Sequence, residues 1–136
     1  MINFKPVAFM IAITTSSILA GAAWAADGAD GKWRIYSEEP NGDVHFFDPS
    51  RVEKSDSAQK VWSRIRYKTS IMGAASYQSL LEIDCSERTE KILQNTFFSD
   101  RQWERPAMST DRSEKPKKQI VKDSAVWRLS EILCEK

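Results

Sequence analysis

The stretch SYQSLLEIDC, residues 76–85, decides the fold. Its apolar and polar residues alternate, as they do in a β-strand whose successive side chains point to opposite faces of a sheet. Tyr77, Leu81, Ile83 and Cys85 share one face. The other face carries Gln78, Leu80, Glu82 and Asp84. The stretch therefore predicts a long strand whose apolar face ends at a cysteine.

Shorter strands are predicted on both sides of this one. Pro40-Asn41-Gly42 lies between two of them and is a strong hairpin signal. Residues 100–118 are polar and contain two prolines, so we expect a long surface loop there. The predicted strands are Trp33–Glu38, Val44–Asp48, Lys60–Lys68, Ser76–Cys85, its hairpin partner Arg88–Ser99, and a short edge strand at Gln119–Lys122.

Residues 123–135 predict one helix at the C-terminal end of the domain. Asp123 or Ser124 can cap it by accepting a hydrogen bond from a free backbone N–H group. At 100° per residue, Trp127 and Cys134 align beside a broad apolar arc. That arc consists of Ala125, Val126, Leu129, Ile132 and Leu133, and the remaining polar stripe consists of Arg128, Glu131 and Glu135.

The N-terminus predicts export from the cell. Residues 1–25 carry one early positive charge, Lys5, then an uncharged apolar run, and Ala23 and Ala25 form the small-residue pattern of a signal peptidase site. The alternative is an N-terminal membrane anchor, which Thr14–Ser17 would interrupt. After cleavage, residues 26–31 are a flexible leader, residues 32–136 form one domain, and no permanent membrane anchor is expected.

The two cysteines predict a disulfide. The exported chain carries 19 basic and 19 acidic residues, and this neutrality argues against a nucleic-acid partner. Thiols pair in oxidising compartments, and closing a loop of about 50 residues contributes about 4 kcal/mol in the chain-entropy model. Buried free thiols are the alternative, and the ligand spacing of a structural zinc site is missing. A bridge from Cys85 to Cys134 would pin the helix against the sheet.

These segments predict an α+β fold, with a single antiparallel sheet of about five to six strands and one C-terminal helix packed on one face. The order of motifs resembles the surface-adhesin protein E family. The shared features are Trp33, Asp48, Val61-Trp62, Tyr77-x-Ser79, Glu82-x-Asp84-Cys85 and the tryptophan-bearing helix that ends at Cys134. The resemblance implies a sheet with a disulfide-held helix, a homodimer, an envelope location and adhesion to host matrix glycoproteins and plasminogen.

A homodimer is also expected from the face of the sheet that the helix leaves uncovered. With the predicted strand parities, this face presents Tyr36, Phe47, Trp62, Leu80, Leu93 and Phe97. Exposed apolar patches of that size are unusual on soluble monomers. A loop, a ligand or a second copy of the chain must therefore cover it.

No residue pattern points to catalysis. His45 is the one histidine and has no predicted nucleophile or orienting partner. Glu82 and Asp84 share a strand face like a carboxylate pair, but solvated strand residues look the same. With five glycines and no phosphate-cradling loop, the chain is not expected to be an enzyme or to hold a cofactor or metal.

A run of cations near the C-terminus is the candidate binding site. Arg112, Lys115, Lys117, Lys118 and Lys122 could hold a matrix glycoprotein or a sulfated glycan by charge complementarity, and Arg101, Arg105 and Trp103 precede them. Interleaved acidic residues favour an ordinary solvated loop instead. Two functions stay open: an exported adhesin-like binding module at the surface, or a soluble periplasmic structural or accessory protein of the envelope.

Overall fold

The computed structural model describes residues 32–135. The predicted signal peptide and leader, residues 1–31, lie outside the described residues. The elements in chain order are β1 (Arg34–Glu38), β2 (Val44–Phe47), a 3₁₀ helix (Pro49–Arg51), β3 (Glu53–Ser55), β4 (Ala58–Ile71), β5 (Ala74–Asp84), β6 (Thr89–Phe98), β7 (Ala107–Asp111), β8 (Lys118–Gln119) and α1 (Ala125–Cys134).

All strands belong to one antiparallel sheet in the order β1-β2-β4-β5-β6-β7. The long hairpin of β4 and β5 forms its centre, with Ala58 opposite Asp84 at one end and Ile71 opposite Ala74 at the other. The predicted strand at 76–85 is thus a central strand, and its predicted pairing with β6 is confirmed.

The sheet has eight strands, so the prediction of five to six was too low. The two strands that were not predicted, β3 and β7, are short, and each pairs with the same edge of a longer strand as another short strand does. β2 and β3 both pair with β4, and β7 and β8 both pair with β6. The predicted loop at 100–118 therefore contains β7, whose five residues lie among prolines and charges that hide the strand pattern.

The C-terminal helix is confirmed, with Ser124 as its cap. The Ser124 hydroxyl accepts a hydrogen bond from the Trp127 backbone N–H at 3.2 Å. Leu129 and Leu133 are buried, as the apolar arc predicts. Ile132, assigned to the same arc, is 47% exposed, whereas Ser130 is buried and its hydroxyl receives a hydrogen bond from Arg88 at 2.9 Å. The arc is therefore narrower than predicted.

The main core lies between this helix and one face of the sheet. Leu129, which is fully buried, is its centre on the helix side. The buried members of the core are Tyr36, Phe47, Val61, Leu81, Ile83, Ile120, Leu129 and Leu133. The alternation predicted for β5 is thereby confirmed for Leu81 and Ile83, because both point toward the helix.

Three residues assigned to the uncovered face lie on the helix side instead. Tyr36 and Phe47 belong to the core beneath the helix. Phe97 pairs with Tyr77, and their ring centres are 4.9 Å apart on that same side. The predicted parity of Phe97 was wrong because a bulge in β6 opposite Leu80 and Leu81 shifts the alternation, and Tyr36 lies at a similar bulge in β1 between Ile35 and Ser37. No bulge interrupts β2, where Phe47 faces the helix because its neighbour Phe46 takes the opposite face.

The predicted disulfide is confirmed. Cys85 and Cys134 are bonded, with their Cα atoms 5.5 Å apart and 49 positions apart in sequence. A hydrogen bond from the Gln59 side-chain amide to the Leu133 carbonyl, at 2.6 Å, supports the same junction. The last turn of the helix is thus attached to the sheet both covalently and by hydrogen bonding.

Candidate binding surfaces

The face of the sheet away from the helix carries a layer of alternating cations and rings. We call it the arginine–aromatic stack. Its members are Trp33, Phe46, Arg51, Trp62, Arg64, Arg66 and Trp103. Guanidinium groups lie over the electron-rich faces of aromatic rings in such contacts, and each contact is worth about 0.5–2 kcal/mol, more when water is excluded.

Arg64 is the centre of the stack. Its guanidinium carbon lies 4.1 Å from the centre of the Trp33 ring and 4.7 Å from that of Trp103, so two rings pack against one guanidinium group. Its Nε donates a hydrogen bond to the Gln78 side chain at 2.8 Å. Trp103 in turn packs edge-on against Phe46, at 5.9 Å between ring centres. The loop that carries Trp103 is thereby fastened to the sheet.

Asp48 fixes a second cation of the stack, Arg51. Its carboxylate is fully buried and accepts hydrogen bonds from the Ser50 N–H group at 2.9 Å and from Arg51 Nε at 2.6 Å. Burial alone would raise the pKa of Asp48, but the hydrogen bonds from Ser50 and Arg51 together lower the pKa below its ordinary value. The anchored Arg51 then lies 5.5 Å from the ring of Trp33 and 5.6 Å from that of Trp62.

The chain's own residues therefore cover much of the face that was expected to be open. Trp33 and Phe46 are each 1% exposed, while Trp62 and Leu80 are partly buried. In the alternation of residues 60–68, Val61, Ile65 and Tyr67 share one face, and Arg64 and Arg66 share the face away from the core. The alternation did not indicate that a tryptophan from a distant loop would cover Arg64.

The predicted basic site lies along the edge of the sheet. We call residues 112–122 the basic segment. Three of its lysines pair with carboxylates of the same chain: Lys115 with Asp111, Lys117 with Glu87 at 2.8 Å, and Lys118 with Glu90 at 3.2 Å. The lysine charges are therefore largely matched within the fold.

The pKa values of two groups reflect this pairing. A hydrogen bond from Lys115 is the largest cause of the strongly lowered pKa of Asp111. A hydrogen bond to Glu87 is the largest cause of the raised pKa of Lys117. Surface ion pairs of this kind contribute little to stability, so an external polyanion can compete for the lysines.

Arg112 and Lys122 differ from these lysines. Both are exposed, and neither has an ion-pair partner within residues 32–135. Of the five cations predicted to bind a ligand, these two carry the charge that the fold leaves unmatched.

The residues considered for catalysis have structural surroundings. His45 is half-buried rather than on the strand surface, 3.5 Å from the Tyr36 hydroxyl, and burial is the main cause of its lowered pKa. Asp84 accepts hydrogen bonds from the Glu87 and Ser86 N–H groups, which hold the turn after β5 and lower its pKa. Glu82 lies between Lys60 and Lys91 in the sheet. Within the described chain, no three potential ligands converge on a metal-sized site.

Fold and surfaces together define a small disulfide-braced domain, an antiparallel sheet with one clasped helix, that presents charged surfaces. The chain belongs to the surface-adhesin protein E family, whose sequence profile matches residues 33–135. The family resemblance inferred from the motifs is thereby confirmed. A comparison with curated proteins finds no match for this chain.

Solved structures of protein E from Haemophilus influenzae share the fold. One is 10% identical to this chain with a TM-score of 0.59, and the match covers 76% of this chain and 83% of that one. A second crystal form is 9% identical with a TM-score of 0.59, covering 76% and 87% of the two chains. A structure from a non-typeable strain is 9% identical with a TM-score of 0.59, covering 76% and 75%. At this identity the similarity establishes the architecture.

Proposed function

We propose that this chain is an exported, non-enzymatic binding module that holds acidic matrix glycoproteins or sulfated glycans through its basic segment. Membership of a surface-adhesin family carries this proposal. The basic segment supplies a surface of suitable chemistry, because its cations lie in one stretch along the sheet edge.

Arg112 and Lys122 are the first contacts in this proposal. A polyanion reaches them without displacing an intramolecular carboxylate. The Lys117 side chain is 54% exposed and its partner Glu87 is exposed too, so Lys117 can turn toward a ligand at the cost of a weak surface pair. Lys118 is 66% exposed but pairs with the buried Glu90, so it is held more firmly. Such binding weakens as salt rises, since exposed charges are screened over about 8 Å at physiological ionic strength.

The experiment is a surface binding assay on immobilised heparin with the disulfide-intact chain. Reversing both unmatched charges, Arg112→Glu with Lys122→Glu, is expected to weaken binding roughly tenfold at low salt. The matched control is Arg34→Glu with Lys54→Glu, which makes the same charge change at two exposed cations elsewhere. Equal binding by the two double variants would show that the basic segment is not the site.

A periplasmic structural or accessory role is the second candidate. The pairing of Lys115, Lys117 and Lys118 with the chain's own carboxylates favours it, because such pairs can serve the fold alone. Location separates the two functions. Protease treatment of intact cells degrades a surface protein and spares a periplasmic one, and cell fractionation gives the same answer independently.

We also propose self-association through the part of the uncovered face formed by Leu80 and by Trp62 of the arginine–aromatic stack. Trp62 and Leu80 are partly buried there and leave apolar surface for a second copy. Light scattering at micromolar concentration is expected to give twice the chain mass, and Leu80→Glu is expected to give the single mass. A monomeric wild-type chain contradicts this proposal.

A further inference from the structure

The hairpin between β4 and β5 ends in apolar side chains that residues 32–135 leave half or almost fully exposed. Met72 is 97% exposed and Ile71 is 51% exposed. Met108 of β7 is 49% exposed, and its terminal methyl group lies 3.6 Å from the position that a Cβ atom on Gly73 would occupy. We call Ile71, Met72 and Met108 the apolar tip. These side chains lie together at one end of the sheet.

Met72 is also an unusual residue for its backbone conformation. Its φ is +50°, and that of Gly73 is +85°. Two-residue hairpin turns of this kind favour Asn-Gly or Asp-Gly, because side chains other than those of Asn, Asp and Gly are disfavoured at positive φ. Folding and solubility both favour a polar residue at position 72. Departures from local preference of this sort are expected at functional positions.

Cations lie behind the apolar tip. Lys68 precedes it in β4, and Arg101 donates a hydrogen bond from Nη2 to the Lys68 carbonyl at 2.5 Å. Arg105 belongs to the same loop, residues 99–106, which joins β6 to β7 at this end of the sheet. In the described part of the chain, none of these three cations has an ion-pair partner.

The carboxylates at this end serve the backbone. Asp43 accepts a hydrogen bond from the Lys68 N–H group at 2.9 Å, and Asp100 accepts one from the Glu104 N–H group at 3.0 Å. Glu104 itself is exposed between Arg101 and Arg105 in sequence. Apolar side chains therefore lie outermost at this end with cations behind them, and Glu104 is the exposed acidic group that, beside the half-buried Asp43 and Asp100, would oppose an anionic surface.

We propose that the apolar tip inserts into the headgroup region of an anionic phospholipid bilayer, while Lys68, Arg101 and Arg105 contact the lipid phosphates. Apolar side chains that enter the acyl boundary contribute favourable binding free energy, and basic side chains near an anionic leaflet are attracted to its charge. A lipid surface fits better than a protein because stable protein interfaces bury about 1,200–2,000 Å² in total, whereas this tip offers three side chains. No helix within residues 32–135 is long and apolar enough to span a membrane.

Vesicle co-sedimentation of residues 26–136 tests the proposal. Wild-type protein is expected to sediment with vesicles of equal phosphatidylglycerol and phosphatidylcholine and less with phosphatidylcholine alone. Met72→Asn suits the positive φ, so thermal stability is expected to hold or rise while partitioning falls roughly tenfold. Val121→Asn is the matched control, since Val121 is 72% exposed but lies near the helix start, and it is expected to bind like wild type.

The charge of this end and the apolar tip are tested by separate substitutions. Glu104→Gln is expected to strengthen binding to the anionic vesicles, because it removes a repelled carboxylate next to two arginines. If Met72→Asn and Val121→Asn bind equally, or if wild-type protein shows no preference for the anionic vesicles, the proposal is wrong. The proposed heparin contact is tested separately, because Arg112→Glu with Lys122→Glu leaves the apolar tip intact.

Discussion

One face of the sheet is closed by helix α1 and a disulfide, and the other by arginine side chains stacked on tryptophan rings. The helix side is aliphatic and holds its cover covalently through Cys85 and Cys134. The opposite side holds its cover by flat contacts on Arg64 and by the buried carboxylate of Asp48. A small domain can thus cover its two faces with different chemistry.

The difference shows which cover can adapt. The helix side depends on volume and on a fixed attachment, so it tolerates little change in shape. The stack depends on charge and on the planar guanidinium, so it tolerates changes of volume better than changes of geometry. Substitutions on the two faces should therefore differ in how much they lower the free energy of unfolding and in how that loss depends on pH.

Loss of the disulfide should have the largest effect. Replacing Cys85 and Cys134 by serine together removes the constraint on the unfolded chain, and we expect the free energy of unfolding to fall by about 4 kcal/mol. Urea denaturation of the variant and of wild-type protein measures this. An equal loss when wild-type protein is reduced is the control. A change below about 1 kcal/mol would mean that the helix holds its position without the bond.

Truncation of Leu129 should have the next largest effect. Leu129 is fully buried between the helix and the sheet, and Leu129→Ala leaves a cavity that we expect to cost about 3 kcal/mol. Ile132→Ala is the matched control on the same helix, since its side chain is 47% exposed. If both substitutions cost the same in urea denaturation, the helix does not pack as described.

The stack should respond to geometry at constant charge. Arg64→Lys keeps the cation but loses the flat group between Trp33 and Trp103, and we expect a loss of about 1 kcal/mol. Arg34→Lys makes the same change at an exposed position of β1 and should be neutral. Near-ultraviolet circular dichroism of the tryptophans provides a second measurement. If Arg64→Lys changed neither the stability nor the spectrum, the stack would not stabilise the fold.

How much of this comparison the sequence could predict depends on the pattern. The helix side was largely predictable. Residues 76–85 alternate cleanly, and the cysteines at the ends of β5 and α1 limit how the helix can lie on the sheet. The adjacent pair Phe46-Phe47 was not, since alternation requires opposite faces but does not say which phenylalanine faces the helix. Both are buried, at 1% and 5% exposed.

The stack was hidden for a different reason. Trp103 comes from a polar loop with no period, and its position depends on a contact with Arg64, far away in sequence. Contacts of this kind arise from tertiary packing, which local patterns do not encode. The bulge in β1 likewise depends on pairing with β2, so the sequence of β1 alone could not place Tyr36 under the helix.

The smallest expected effect is a difference in pH response between the two faces. His45, on the helix side, has a pKa lowered by burial, so its contribution to stability is complete above its ordinary value of 6.5 and is lost as pH falls through the folded pKa. Although burial alone would raise the pKa of Asp48, the hydrogen bonds from Ser50 and Arg51 lower it. Its contribution is therefore complete above its ordinary value of 3.8 and is lost at lower pH.

Denaturation series across pH are expected to show two acid steps. His45→Gln should remove the first step, and Asp48→Asn should reduce the second, to which Asp84, Asp100 and Asp111 also contribute because hydrogen bonds lower their pKa values, in Asp100 against the opposing effect of burial. If either variant removed both steps, the two faces would titrate as one unit, and the separation between them would fail.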